Sequence, residues 1–163
     1  MLAELALDEN DPGRAASLAQ KAVEESHREK ASDLEAGALA VLAEADLGLK
    51  KLDAAREVIG RARAITSKSE EQHAIVSVGI AAGRVMAASG HRDEAITSLE
   101  DVLSSVTKLG LVELEFEARL ALGEIEIAAG KVAAGRARLT ELEKDAAAKG
   151  YLLFVSKARE AAS

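Results

Sequence analysis

The chain has 163 residues, 48% hydrophobic and 30% charged, a balance that excludes a disordered segment and provides for one domain with a substantial core. A net charge of −7 and only 2% aromatic residues argue against nucleic-acid binding, which needs clustered cations and stacking rings. No apolar run approaches the roughly 20 residues of a membrane span. The absence of cysteine removes disulfides and thiolate metal sites, and no basic-start, apolar-core leader is visible, so a cytoplasmic setting is expected.

Abundant alanine and a single proline, Pro12, favour helix throughout. In chain order the apolar spacing predicts nine helices, over 1–9, 12–28, 31–48, 52–67, 70–89, 92–108, 111–129, 132–148 and 151–162. Asp11-Pro12 reads as an N-cap followed by proline at the first helical position. Ser32-Asp33-Leu34-Glu35 and Ser69-Glu70-Glu71-Gln72 fit the capping-box pattern. Turns are expected at Gly48-Leu49-Lys50, Gly90-His91, Gly110, Gly130-Lys131 and Gly150, with glycine supplying the left-handed residue that ends each helix. Residues 112–118 alternate like a half-buried strand. The helical reading is preferred there because Leu111, Leu114, Ala118, Leu122, Ile125 and Ala129 share one helical face.

These elements recur at an offset of forty residues. Asn10, Lys50, Gly90 and Gly130 open turns; Ala15, Ala55, Ala95 and Gly135 follow five positions later; Ala3, Ala43, Gly83 and Gly123 lie seven before. A fixed period of this size marks stacked helical repeats.

The stretch Gly90, Ala95, Leu99, Val102 resembles the second-helix signature of the tetratricopeptide repeat (TPR), and the copies beginning at Lys50 and Gly130 follow it with substitutions. Asn10 to Ala22 is the weakest copy. The resemblance covers nearly the whole chain as about three and a half repeats plus a C-terminal capping helix, 151–162. The period exceeds the usual 34 or so residues, and Leu, Ile and Ala replace the consensus aromatics. In this it is similar to the long, aromatic-poor repeats of bacterial signalling proteins, including kinases and transcription regulators. The resemblance implies an all-α, right-handed α-solenoid of antiparallel helix pairs in one domain, 1–163. In register with the later repeats, residue 1 falls inside a first helix, so a fragment of a larger chain is expected. Leu2, Leu5 and Leu7 would then pack on the missing part, on a partner or on a second copy.

The resemblance further implies that first helices present a concave binding face. Its positions would be Ala40, Glu44 and Leu47, then Ser77, Ile80, Arg84 and Ala87, then Glu117, Leu120, Glu124 and Ile127. Glu44, Arg84 and Glu124 form a row of alternating charge there, which fits either a peptide groove or a solvated face whose charges pair with one another. The expected function is a non-catalytic interaction or scaffold module for a neutral or basic protein or peptide. The alternative is a regulatory or small-ligand sensor segment; the short side chains at Gly79, Ala82, Gly83 and Ala87 would either let helices approach closely, the preferred reading, or leave a pocket for such a ligand.

No catalytic residues, cofactor or metal are expected. His91-Arg92-Asp93 copies a kinase catalytic-loop string, but Ser98 stands where its asparagine should be. Gly123 to Lys131 has the wrong spacing for a phosphate loop, and Val132 replaces its Ser or Thr. His27, His73 and His91 have no second His or carboxylate at i, i+4 on a buried face, as a helix-borne metal site requires, and are expected at the surface. Glu115 and Arg119, spaced i, i+4, are expected to pair.

Overall fold

A computed structural model describes residues 2–163. Among them are nine helices: α1 (Leu2–Asp8), α2 (Pro12–Arg28), α3 (Ser32–Gly48), α4 (Leu52–Thr66), α5 (Gln72–Ala88), α6 (Arg92–Leu109), α7 (Val112–Ala128), α8 (Val132–Lys149) and α9 (Leu152–Ala162). The alternating segment 112–118 is helical: one face of α7 buries Leu114, Ala118, Leu122 and Ile125.

Left-handed residues punctuate the chain every twenty positions, at Asn10, Lys30, Lys50, Gly90, Gly110, Gly130 and Gly150. After six of these seven, all but Gly90, an amide returns to a carbonyl five residues back, as in Lys51 N to Asp46 O (2.8 Å) and Lys131 N to Glu126 O (2.8 Å). The series breaks at position 70. There α4 stops at Thr66, and Glu71 caps α5 by accepting from the amides of His73 and Ala74.

Three local expectations change. Ser32 is not a cap: α3 starts from Ala31, which makes no side-chain cap bond. Ser69 is displaced as cap by Glu71. Its hydroxyl instead accepts from Glu71 N (2.9 Å) and donates to Asp33 Oδ1 (2.5 Å), tying the α4–α5 connection to the start of α3. Gly48 is helical, and Lys50 takes the left-handed turn. The reason for glycine at 48 is proximity: a Cβ there would lie 2.8 Å from Pro12 Cβ, part of a stiff ring. Asp11 does cap α2, accepting from Arg14 N at 2.9 Å.

The helices form two compact units, one ending at Ser89 and one starting at Gly90. In the first, α3 packs against α2, α4 and α5. Its core holds Val23, Leu39, Leu42, Val58, Ile59, Val78 and Val85, with alanine wherever helices approach closely. In the second, α7 packs against α6, α8 and α9. Phe116 is enclosed there with Leu139, Leu142 and Phe154. Its ring meets Tyr151 and Phe154 edge-on at 5.3 and 5.7 Å, a geometry worth about 0.5–1.5 kcal/mol per pair beyond area burial. Helix α9 inserts Phe154 and Val155 into that core, while Leu152 remains 72% exposed.

Candidate functional site

The first helices of the pairs are α1, α3, α5, α7 and α9, and the residues expected on their binding face fall into two groups. Glu44 and Leu47 on α3, Ser77 and Arg84 on α5, and Glu117, Glu124 and Ile127 on α7 are partly open to solvent. Ala40, Ala87 and Leu120 are buried, and Ile80 is 0% exposed. Ala40, Ile80, Ala87 and Leu120 are therefore core residues and are withdrawn from the candidate surface. Ala40 and Leu120, which match Ile80 in the repeat, are interior as it is, because this edge of each first helix packs against its neighbours while the edge carrying Glu44, Arg84 and Glu124 stays partly open. Within the first unit, Arg84 Nε lies 3.8 Å from Glu44 Oε1, so two of the three row charges neutralise each other.

The other expected charges are placed as follows. Glu115 and Arg119 stand 3.9 Å apart, but the shorter partner of Arg119 is Asp145 on α8, at 2.8 Å. His27 and His91 are exposed beside Glu35 (3.0 Å) and Glu94 (3.2 Å), and His73 is exposed. Among the described residues no three His, Asp or Glu side chains gather as a metal site would require, and no helix is long and apolar enough to cross a membrane.

Sequence reasoning missed a polar position in the interior. Residue 46 on α3 and residue 126 on α7 are eighty residues apart, the same place in two repeats, and both are buried acids: Asp46 is 7% exposed and Glu126 4%. Glu126 receives a two-pronged bond from Arg138 on α8, Nε to Oε2 at 3.0 Å and Nη2 to Oε1 at 2.8 Å. Arg138 also reaches toward Glu100 on α6 at 3.8 Å, so one guanidinium joins three helices. Donating these bonds to Glu126 holds Arg138 more firmly as a cation.

Asp46 has no such fork, because the residue matching Arg138 is Val58. Burial pushes its carboxyl above the ordinary value of 3.8, with Lys51 opposing. The folded chain thus holds that proton to higher pH than the unfolded chain does, and this contribution to stability is lost as pH rises through the raised pKa. Asp46→Ala, which copies Ala6 at the matching position, is expected to stabilise the protein at pH 7 by about 1 kcal/mol, with the gain shrinking toward pH 4. Thermal melts across that pH range check it, and a gain that does not shrink would point to helix propensity instead. At the surface, Lys131 donates to Asp93 at 2.8 Å, lowering that carboxyl and raising the ammonium.

No protein-family model matches the chain, and no curated protein matches it. Among solved structures, it is similar to a protein of Podosopora anserina described as a kinesin light chain with nearly identical TPR-like repeats. The likeness has a TM-score of 0.61 at 19% identity and covers 90% of this chain and 72% of that one. The chain has the TPR-like repeat fold. Its paired helices, its small residues at helix crossings and its turn at every twentieth residue are those of a TPR-like protein with long repeats.

Proposed function

We propose that this TPR-like chain is a non-catalytic interaction module that holds a neutral or basic peptide or protein segment against its first helices. The observation that supports this is the face of α3 and α5 in the first unit. There Glu44 and Arg84 sit half-buried and 3.8 Å apart beside Leu47 and Ser77, a charged and apolar surface set on two packed helices. Side chains held this way lose little further freedom when a partner arrives, so less of the binding energy is spent on ordering. On the second unit, α7 carries the same residue types at Glu117, Glu124 and Ile127.

The ion pair makes a clean test available. Exchanging its members, Glu44→Arg with Arg84→Glu, keeps the pairing and reverses its direction. The exchanged protein is expected to keep its melting temperature within a few degrees and to lose capture of a partner from source-cell lysate by tenfold or more, a difference of about 1.4 kcal/mol. Undiminished capture by the folded variant would move the binding surface off α3 and α5.

A further inference from the structure

The positive charge of this acidic chain accumulates around α4. Residues 50–68 carry six basic side chains, Lys50, Lys51, Arg56, Arg61, Arg63 and Lys68, against two acidic ones, Asp53 and Glu57, a net +4 within a chain of net −7. Helix α4 turns Ala55, Val58, Ile59 and Ala62 inward. Arg56, Gly60 and Arg63, at i, i+4 and i+7, line one exposed flank. Arg61, by contrast, reaches Glu35 at 3.9 Å. Neither Arg56 nor Arg63 has an ion-pair or hydrogen-bond partner for its guanidinium among the described residues.

Gly60 is a second, separate observation. It lies mid-helix, where glycine weakens a helix relative to alanine. Nothing inside the unit requires it: a Cβ built at Gly60 meets no atom within 4 Å. The glycines at Gly48, Gly123 and Gly135 are all explained by a neighbour too close for a Cβ; Gly60, like Gly37 on α3, is not, and of these two Gly60 is the one on an exposed face. The result is a short exposed stretch of backbone beside two solvated guanidiniums, which the helical rise sets about 10 Å apart.

We propose that this flank of α4 docks an acidic segment of a partner protein. Its carboxylates seat on the forks of Arg56 and Arg63, and its chain passes close over Gly60. Arginine presents paired donors that match a carboxylate edge, so two such forks at fixed separation select for two acidic side chains at matching separation. This surface lies on a second helix and takes the opposite charge to the one proposed for the first helices. A protein segment fits better than a nucleic acid, because the chain's aromatics, Phe116, Tyr151 and Phe154, are all in the other unit and α4 offers no ring to stack on.

The test is fluorescence anisotropy with a short fluorescein-labelled Glu/Ala-rich peptide, using the whole chain with folding verified by circular dichroism. Wild type is expected to bind saturably and more weakly as salt rises. Arg56→Glu with Arg63→Glu should weaken binding by about tenfold or more. The equal charge change at Arg92→Glu with Lys108→Glu, on the exposed side of α6, should alter it less than about twofold. Gly60→Leu should weaken binding about threefold while the helical signal holds or rises, separating loss of the surface from loss of the fold. Absence of saturable binding would overturn the proposal. So would an equal loss in the α6 control, or equally tight binding of a labelled single-stranded RNA of the same charge, which would make the flank a general anion attractor.

Discussion

Replacing Gly135 by alanine is expected to destabilise the second unit by about 3 kcal/mol, although alanine is what the repeat signature carries at this place. Ala15, Ala55 and Ala95 occupy the matching positions and are each fully buried, so elsewhere a methyl group fits. At 135 it does not. A Cβ there would stand 2.6 Å from the backbone oxygen of Gly123, 2.7 Å from Ile127 Cγ1 and 3.0 Å from Ile127 N. Two of these atoms are backbone and can move only if α7 and α8 separate. The intrinsic preference of a helix for alanine over glycine, about 1 kcal/mol, runs the other way and is outweighed. Gly123→Ala should cost less, because its Cβ would meet mainly the Leu139 side chain, at 2.6 and 2.7 Å. Gly60→Ala, with open space around it, should instead stabilise by about 0.5–1 kcal/mol. Urea denaturation of the three variants checks the order. A Gly135→Ala protein as stable as wild type would mean that α7 and α8 are not held at this distance.

The second large effect is expected at the Arg138–Glu126 pair. Arg138→Met leaves Glu126, 4% exposed, as a buried charge with its two-pronged partner removed, and should cost about 3–5 kcal/mol at pH 7. The pair's net worth is a different quantity. Desolvating both groups nearly offsets their attraction, so Arg138→Met combined with Glu126→Leu should lie within about 1–2 kcal/mol of wild type, on either side. A double-mutant cycle by equilibrium denaturation measures the coupling directly. Additive losses in the double variant would show that the two side chains stabilise the unit independently, through packing rather than through each other.

Much of the architecture was legible in the chain alone, because the information that specifies it is local. Helical spacing reports which face each helix buries, and Gly90, Gly110, Gly130 and Gly150 all take the left-handed conformation expected of a helix-ending glycine. The strand-like alternation in Val112–Ala118 was overruled by the same periodicity, and α7 is a helix. Asp11 caps α2 because a short acidic side chain before Pro12 can reach the Arg14 amide without help from elsewhere. Tertiary structure alone decided the rest, since each such case depends on how near one helix comes to another. Gly48 looked like a turn residue and is instead a clearance for Pro12. Gly135 looked like a weak copy of alanine and marks a crossing of α7 and α8 too close for a Cβ. Ala40, Ile80 and Leu120 occupy one repeat position that was expected on the open face, and all three lie in the interior. Glu126 and Asp46 occupy one repeat position, and whether the buried acid is satisfied turns on a single residue twelve positions on, Arg138 in one repeat and Val58 in the other. Periodicity specifies which way a side chain points along its own helix; what it meets there is set by how near the next helix comes.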